Sequence, residues 1–512
     1  MEIEIRKTFF ANSIKIESFY VLFCDEFSII KDITGKCEIQ IGDKNYSYLK
    51  IILQGNNIIL ESDYIGSYQL FLYQSLDCVL SSNFYPNQTD LNLESVYDYI
   101  LNGIVHSHFT TSKSIITSTA DSLSLFDGSK WKVNDLYSLN FGKSKTSTKY
   151  NLKQEMLISI KDCLLDEKDN VISLSGGMDS AAILHGSLNY DKNLKAITYS
   201  NSLRGSNSDS DFAVRRADEA NVPVLNLKTD NISLYELCRL NSRLGAGKGK
   251  WCDEIGIFTD PYFNTPNKKN LLVGDTYFLP KVEFNSLSEL FDIVGYSSSQ
   301  ISNNFIKSLF KKEVFKNYLK TRESCIENIN YKNKEDLRDF VYWKYRLSTT
   351  LMWWRFRIQG RYVKIKIPFL KKTIFDYFIG LKPIERDNDR SIYKSAINEI
   401  DERVFSQGRA KKHGVPPDYR KLLNSEITQF IDWVNKSESS LDDFISKKDF
   451  IKILNLNNEF QNINFLNILY SLRQRVKSIN TLCRILNIPS KPYSKLIRYK
   501  LRLIVLRMSH EK

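Results

Sequence analysis

One short segment has the residue types and the spacing to bind the phosphates of a nucleotide. It reads SGGMDS at 175–180 and lies between a predicted strand at 171–174 and a predicted helix at 180–188. Two glycines after a strand allow a tight turn and a close approach of the backbone to an anion. The N-terminus of the following helix offers N–H groups and the positive end of its dipole to a phosphate.

The polar side chains of this loop complete a candidate site for phosphate groups and Mg²⁺. Its serines add hydroxyl donors, and its aspartate offers the carboxylate oxygen that Mg²⁺ prefers. We therefore predict that the nucleotide is bound by Ser175, Gly176, Gly177, Asp179 and Ser180, with Asp179 also a metal ligand and a catalytic residue. The alternative is an ordinary glycine-rich turn between a strand and a helix. The sequence around the loop lacks the GK[ST] of a Walker loop, which disfavours transfer of the γ-phosphate.

The elements that would position this loop predict an α/β fold with two regions. Up to about residue 140 short strand patterns alternate with turn residues, at 19–24, 48–53, 58–61 and 67–73, and a helix at 93–101 is capped by Asn92. From about residue 151 helices alternate with apolar strands, which is typical of a parallel sheet covered on both faces. Beyond residue 286 the pattern is mostly helical. We predict domains at 1–145 and 150–512.

Composition excludes several classes of protein. The 512 residues, 42% of them hydrophobic, are enough for a buried core in two or three domains. No run approaches the roughly 18 apolar residues of a membrane span, and the N-terminus lacks a signal-peptide pattern.

The eight cysteines include no CxxC pair, and His106 and His108 have no cysteine or further histidine nearby, which argues against a zinc site. A cytoplasmic protein with reduced, buried thiols is expected.

The net charge of +13 raises the question of a polyanionic partner. Much of the excess lies at 344–372 and at 491–507, and basic clusters bind nucleic acid, phosphates or acidic peptides. Arg355, Arg357 and Arg361 would suit an acidic peptide or the nucleotide. The alternative is a solvated surface on a sequence rich in lysine and asparagine.

The loop resembles the SGGxDS signature of the PP-loop ATP pyrophosphatases, which release pyrophosphate and leave AMP on the substrate. Residues 63–84 and 91–115 are similar to the N-terminal domain of the glutamine-hydrolysing, class B asparagine synthetases. IPFL at 367–370 resembles that family's VPFLD stretch, and KKHG at 411–414 its late Lys-x-Gly element. The resemblance covers most of the chain in the same order. It implies a β-rich sandwich of the Ntn-hydrolase type followed by an ATP-pyrophosphatase synthetase domain with a helical C-terminal part.

The start of the chain departs from that family. Its glutamine-hydrolysing members need cysteine as the first mature residue, whereas here Glu2 follows Met1 and the first cysteine is Cys24. The resemblance therefore implies an inactive amidotransferase-like domain and a nucleophile other than ammonia from glutamine. This pattern resembles β-lactam synthetases, carbapenam synthetases and lasso-peptide cyclases, which use an amine already present on the substrate.

The sequence also differs from that family at residues of the predicted site. The family's metal-binding element is shortened here to LLVGDTYF at 271–278, in which Asp275 is the predicted second Mg²⁺ ligand; the alternative is a turn aspartate that caps a helix. The tyrosine–glutamate dyad of β-lactam synthetases would fall at Leu272 and Lys364 and is missing, which moves the preference toward a peptide cyclase. Lys412 is the candidate catalytic residue that offsets negative charge during amide formation, with Lys411 as a competitor and an exposed lysine as the alternative.

The sequence thus predicts an AMP-forming carbon–nitrogen ligase that uses ATP and Mg²⁺, and the preferred substrate reaction is macrolactam closure of a lasso peptide. The expected partners are a peptide or small-molecule carboxylate, together with a leader-peptide-binding protein and a protease, and no nucleic acid. Three alternatives stay open. They are a small-molecule amide synthetase or an amidotransferase using free ammonia, a tRNA-modifying PP-loop protein (which would lack the β-rich N-terminal region), and a decayed, non-catalytic scaffold.

Overall fold

The structure is a computed structural model that describes most of the chain. The residues described are 3–7, 12–16, 19–23, 27–31, 37–54, 57–74, 80–81, 90–127, 129–136, 151–164, 169–200, 208–228, 232–245, 248–249, 251–263, 265, 268–276, 283–290, 312–327, 329, 331, 333–387, 390–408, 419–443, 445–459 and 490–511.

The N-terminal region is rich in β-strands and contains one helix, as its sequence predicted, and the strand pairs described there are antiparallel. Its elements are β1 (Ile3–Lys7), β2 (Asn12–Ile16), β3 (Phe19–Phe23), β4 (Phe27–Lys31), β5 (Cys37–Asp43), β6 (Ser47–Gln54), β7 (Asn57–Ser62), β8 (Phe71–Tyr73), β9 (Leu80–Ser81), α1 (Leu93–Asn102), β10 (Ile115–Thr117), β11 (Ser122–Phe126) and β12 (Trp131–Asp135). The strands pair in the orders β12-β11-β7-β6-β5-β4, β1-β2-β3 and β10-β8-β9.

The strand predicted at 67–73 is wrong in its first half, because only Phe71–Tyr73 pairs with other strands. The buried Asp63 carboxylate accepts hydrogen bonds from the backbone N–H groups of Ile65 at 3.1 Å and Ser67 at 3.0 Å. These local bonds replace a strand partner and turn the chain. The predicted cap is confirmed: the Asn92 side chain accepts a hydrogen bond from the Ser95 N–H at the start of α1.

The C-terminal region alternates helices with parallel strands and then becomes mostly helical, as predicted. Its elements are α2 (Leu152–Cys163), β13 (Asn170–Ser173), α3 (Met178–Ser187), β14 (Lys195–Ser200), α4 (Asp209–Glu219), β15 (Val224–Lys228), α5 (Leu234–Gly245), a 3₁₀ turn (Asp253–Thr259), β16 (Asn270–Val273), α6 (Leu287–Leu290), α7 (Lys312–Glu327), α8 (Lys334–Tyr342), a π-helix (Trp343–Ile358), a 3₁₀ turn (Gln359–Arg361), β17 (Lys364–Lys366), a 3₁₀ turn (Pro368–Leu370), α9 (Lys372–Gly380), α10 (Pro383–Asp387), α11 (Ser391–Ile400), a 3₁₀ turn (Glu402–Phe405), α12 (Tyr419–Ser425), α13 (Ile427–Lys436), a 3₁₀ turn (Ser440–Asp443), α14 (Lys447–Glu459) and α15 (Ser490–Ser509).

A five-stranded parallel sheet organises this region, in the order β15-β14-β13-β16-β17. The α/β class predicted from the sequence is therefore confirmed. Alternate residues face opposite sides: Val171 and Leu271 pack toward the π-helix, whereas Ile172 and Leu272 pack toward α2, α3 and α11. The chain runs from β13 outward to β15 and then returns to β16 on the other side of β13. Such a reversal leaves a crevice at the carboxyl ends of the two central strands.

The N-terminal sheets are held against this region by buried polar contacts. The Tyr64 hydroxyl donates to the Leu370 carbonyl, and the Trp343 indole N–H donates to the Tyr64 carbonyl at 2.5 Å. Lys344, also on the π-helix, donates to Asp135 of β12 at 2.6 Å. These contacts fix the start of the π-helix, which carries basic residues toward the crevice.

Part of the positive charge of the two basic segments is buried inside the protein. Five cations from the two basic segments are no more than 8% exposed, namely Lys344, Arg357, Lys500, Arg502 and Arg507. Their partners are within the protein: Lys500 donates to the Leu454 carbonyl at 2.7 Å, and Arg502 donates to the carbonyl of Leu101 at 2.8 Å. For these residues both sequence-based alternatives, a polyanion-binding cluster and a solvated face, are wrong.

Two further features concern the described residues only. None of their helices combines the length and the apolar character required to cross a membrane. Among the cysteines, Cys163, Cys238 and Cys252 are buried free thiols and Cys325 is a partly buried one, which agrees with the expected reduced state.

Candidate functional site

The SGGMDS loop lies where β13 ends and α3 begins, at the crevice. Its two serines brace it: the Ser175 N–H donates to the Ser180 hydroxyl oxygen at 3.1 Å, and the Gly177 N–H donates to the Ser175 hydroxyl oxygen at 3.1 Å. The two hydroxyl oxygens are also 3.1 Å apart. The serines predicted to donate to a phosphate therefore also hold the shape of the loop.

Helix α3 begins two residues earlier than predicted, at Met178, with Gly177 as an N-cap that contributes no side chain. Asp179 consequently lies in the first turn of the helix, beside its positive dipole end. A glycine before a helix N-terminus lets a ligand approach the backbone, as the sequence predicted.

Gly274, which lies outside the loop, packs directly against it. Gly274 follows β16, and a Cβ built on it would lie 2.7 Å from the Ser180 nitrogen and 3.0 Å from the Asp179 carbonyl carbon. Real Cβ atoms do not approach backbone atoms this closely, so only glycine allows β16 to run beside the loop. The two segments thereby form one wall of the crevice.

We expect Gly274→Ala to weaken nucleotide binding at least about tenfold, because the added methyl group forces the loop out of position, at a cost of about 1–3 kcal/mol. Titration with a fluorescent ATP analogue measures this. Gly245→Ala is the matched control, since a Cβ there meets nothing within 4 Å. Wild-type affinity in Gly274→Ala would show that the two segments do not form the nucleotide site.

Asp179 is held by a tyrosine that the sequence did not single out. The hydroxyl of Tyr393, in the first turn of α11, donates to Asp179 Oδ1 at 2.5 Å. Burial and the neighbouring Asp179 carboxylate raise the pKa of Tyr393 well above its ordinary value, so the hydroxyl stays protonated. A hydrogen bond with Thr276 also acts on this tyrosine. Asp179 is thus oriented by a neutral donor that is 1% exposed.

Two arginines add positive charge beside the aspartates. Arg346, on the π-helix, has its guanidinium 5.9 Å from the centre of the Tyr342 ring. Burial raises the pKa of Tyr342, the charges of Arg346 and Arg390 oppose that rise, and the charge of Asp275 adds to it. Arg390, which precedes α11, likewise acts on Tyr393. The crevice therefore combines a helix N-terminus with two guanidinium groups, an arrangement suited to a phosphate chain.

The Asp275 carboxylate accepts hydrogen bonds from Arg355. The arginine Nε donates to Asp275 Oδ2 at 2.5 Å and its Nη2 donates to Oδ1 at 3.1 Å, while its Nη1 donates to the Gln359 side-chain oxygen at 2.9 Å. The Gln359 amide in turn donates to Glu254 at 3.3 Å. Burial alone would lower the pKa of Arg355, but the charge and hydrogen bond of Asp275 raise it above its ordinary value.

Two of the three arginines predicted to receive an acidic peptide or the nucleotide contact other residues of the protein. Arg355 is occupied by Asp275, and Arg357 lies 4.7 Å from the centre of the Phe71 ring and 5.4 Å from that of Trp353 in the core. Arg361 ends the turn Gln359–Arg361 and is partly exposed. The prediction is wrong for Arg357, and Arg355 acts within the site rather than on a surface.

The two aspartates predicted to bind Mg²⁺ contact different side chains. Asp179 accepts a hydrogen bond from the Tyr393 hydroxyl, and both oxygens of Asp275 accept hydrogen bonds from the Arg355 guanidinium. The described residues include no group of three or more His, Cys, Asp and Glu side chains that could hold a metal. Asp179 therefore fits the role of a Mg²⁺ ligand that shares the ion with phosphate oxygens and water.

The structure describes only some of the other residues that the sequence analysis considered for the site. Leu272 is fully buried and Lys364 pairs with Asn270 at the start of β17, so the positions of the missing dyad carry neither its tyrosine nor its glutamate. Cys24, Lys411 and Lys412 lie outside the described residues. The segment that leads to Lys412 is held by Arg216, which donates to the Val404 carbonyl at 2.7 Å and the Gly408 carbonyl at 2.9 Å.

No protein-family model and no curated protein matches the chain. Among solved structures, the U34-tRNA thiolase NcsA from Methanococcus maripaludis is similar at 11% identity over 61% of this chain and 78% of its own, with a TM-score of 0.23. The NH3-dependent NAD synthetase from Campylobacter jejuni is similar at 14% identity over 38% of this chain and 92% of its own, with a TM-score of 0.18. The NMN synthetase from Francisella tularensis is similar at 13% identity over 52% of this chain and 97% of its own, with a TM-score of 0.19. These TM-scores are all low, and the proposals below rest on the geometry of the site.

Sequence reasoning missed four residues of the crevice, which are Tyr393, Arg390, Arg346 and Gly274 in its role against the loop. Tyr393 is separated from Asp179 by 214 residues. No local pattern marks such a pair. Gly274 had a detectable signal, since it directly follows a buried strand and precedes an aspartate.

Proposed function

We propose that the protein is an ATP-dependent, AMP-forming carbon–nitrogen ligase. The observation that carries the proposal is the packing of Gly274 against the start of α3, which joins the SGGMDS loop and the Asp275 segment into one wall. Asp179 lies on this wall, and the charges of Arg346 and Arg390 act on Tyr342 and Tyr393, the tyrosines next to the two aspartates; such positive charge would suit a triphosphate.

The proposed reaction has two steps. A substrate carboxylate oxygen attacks the α-phosphorus of ATP; the bond from that phosphorus to the bridging oxygen breaks, and pyrophosphate leaves. A substrate amine then attacks the acyl carbonyl, loses a proton, and expels AMP. The loop and the two arginines would hold the pyrophosphate, and Asp179 would be a ligand of Mg²⁺, which would supply positive charge to the phosphates. A substrate that carries both groups gains a high effective concentration of the amine.

The finer proposal is macrolactam closure of a peptide, between an Asp or Glu side chain and the N-terminal amine. One feature supports it: Leu272 and Lys364 stand at the positions of the tyrosine–glutamate dyad of β-lactam synthetases. Lys412 is the proposed group that stabilises charge in the second step. The N-terminal region, 1–145, is proposed as an inactive amidotransferase-like scaffold, and 150–512 as the synthetase domain. A leader-peptide-binding protein and a protease are the proposed partners.

Nucleotide product analysis tests the reaction. Full-length protein is incubated with Mg²⁺-ATP and either a peptide or a small-molecule fraction of a cell extract, and AMP, ADP and pyrophosphate are resolved. We expect AMP and pyrophosphate with the peptide fraction, and a peptide product lighter by one water molecule. AMP with the small-molecule fraction alone would favour a metabolite amide synthetase. ADP, or no turnover with either fraction, would count against adenylation.

A further inference from the structure

A cavity of about 150 Å³ lies between α1, the segment 105–109 and α7. Its lining includes Asp98, His106 and Tyr318, each at most 5% exposed, and the half-buried Glu94 and Arg322. None of the described lining residues belongs to the SGGMDS loop, the Asp275 segment or the π-helix, so the cavity is separate from the crevice. A cavity of this volume holds a molecule of about six non-hydrogen atoms, such as benzene.

The floor of the cavity is an Asp–His pair. Asp98 Oδ2 lies 2.5 Å from His106 Nδ1 and accepts the His106 backbone N–H at 2.9 Å, and Oδ1 accepts from the Asn102 amide at 2.8 Å. Burial lowers the pKa of His106 despite the neighbouring Asp98 carboxylate, and the charges of Arg322 and Lys248 add to that effect. The ring is therefore neutral, with its proton on Nδ1 toward Asp98. The hydrogen bonds of Asp98 thus come from within the protein.

Two opposite charges line the cavity from neighbouring helices without pairing with each other. The Glu94 carboxylate, in the first turn of α1, accepts a hydrogen bond from the Asn317 amide at 3.3 Å and forms no ion pair within the described part of the chain. Arg322, on α7, hydrogen-bonds the Tyr318 hydroxyl, and its charge reaches His106. A guanidinium has five N–H donors in a planar fork, so a bond to Tyr318 is compatible with two more to a carboxylate.

Other lining residues of the cavity are uncharged. Val105 is 1% exposed, and Phe109 lies in the same segment of the lining. Burial raises the pKa of the Cys325 thiol to about 12, so this side chain stays protonated. A ligand that fits therefore has a small apolar body together with one positive and one negative group.

We infer that this cavity binds a small zwitterion of the α-amino acid type, with its ammonium group toward Glu94 and its carboxylate toward Arg322. A purely anionic ligand would meet the Glu94 carboxylate, and a purely cationic one would meet the Arg322 guanidinium. Each repulsion grows as water is excluded from the cavity. Both charges of a zwitterion are compensated, and its side chain packs against Val105 and Phe109. This inference does not depend on the proposed ligase reaction.

Ligand screening on the full-length protein tests the inference. The standard amino acids are examined one at a time by saturation-transfer nuclear magnetic resonance, and dissociation constants are measured for those that bind. We expect an amino acid with a compact side chain to bind. Its analogues without the amino group or the carboxylate (propionate and ethylamine for L-alanine) should bind at least about tenfold more weakly, because each leaves one charge of the cavity without a partner. No binding by any amino acid, or equal binding by an analogue, would overturn the inference.

Substitutions place the bound amino acid in this cavity. Glu94→Gln keeps the size of the side chain but removes its charge, and Arg322→Met removes the guanidinium; each is expected to weaken binding by about 10- to 100-fold. Glu323→Gln is the matched control, because Glu323 is an exposed residue of α7 that does not line the cavity, and it should keep the wild-type affinity. If Arg322→Met does not fold, Glu94→Gln decides the result, and wild-type affinity in that variant would overturn the inference.

Discussion

Asp179→Ala is expected to reduce AMP formation by about 10³-fold, because it removes the charge that orients the metal beside the nucleotide phosphates. The aspartate lies in the first turn of α3 and accepts a hydrogen bond from Tyr393 at 2.5 Å. Pyrophosphate release by the purified variant, compared with wild type at saturating ATP, measures the effect. AMP formation at the wild-type rate would exclude the SGGMDS loop as the adenylation site.

Two further variants separate this role from a general effect on helix stability. Asp209→Ala is the matched control, because Asp209 is an exposed aspartate in the first turn of α4, which follows the next strand of the same sheet. It should retain wild-type activity. Tyr393→Phe keeps the Asp179 charge but loses the orienting hydroxyl, and its expected loss is about 10- to 100-fold.

Arg386→Met is expected to give the largest loss of stability, about 3–5 kcal/mol, because it removes the cation that pairs with the buried Asp336 carboxylate, whereas Asp339 keeps its ion pair with Arg338. Arg386, on α10, forms ion pairs with Asp336 and with Asp339, the latter at 2.5 Å, and all three side chains are at most 7% exposed. Both aspartates lie on α8, which continues directly into the π-helix that carries Arg346 and Arg355. Urea unfolding followed by circular dichroism gives the change in the free energy of unfolding.

The control for Arg386→Met is an exposed ion pair. Lys452 and Asp449 are 3.0 Å apart, but their side chains are 64% and 59% exposed. Lys452→Met should therefore alter the free energy of unfolding by less than about 1 kcal/mol, because water screens such a pair. If Arg386→Met were no more destabilising than Lys452→Met, the α8–α10 cluster would not hold the π-helix in place.

Local patterns predicted the parts of the site that depend on neighbours in the chain. The spacing of the SGGMDS loop, its flanking strand and helix, the Asn92 cap and the alternation of helices with parallel strands were all recognisable in advance. They were recognisable because turn formation, capping and hydrophobic periodicity act over a few residues. The strand prediction at 67–73 was wrong in its first half, because hydrophobic alternation takes no account of hydrogen bonds from a side chain to the backbone. Here the Asp63 side chain accepts such bonds and turns the chain.

Long-range packing decided the electrostatics of the site. Whether a charged residue faces solvent, a ligand or another side chain depends on which distant segments meet, and composition carries no such information. Thus Arg355 pairs with Asp275 across 80 residues, and Tyr393 reaches Asp179 across 214. Lys500 and Arg507, basic residues of the C-terminal helix, are buried against internal acceptors. The SGGMDS loop was therefore predictable from neighbouring residues, whereas the contacts of Asp179 and Asp275 arise only when the β16 segment, the π-helix and α11 come together.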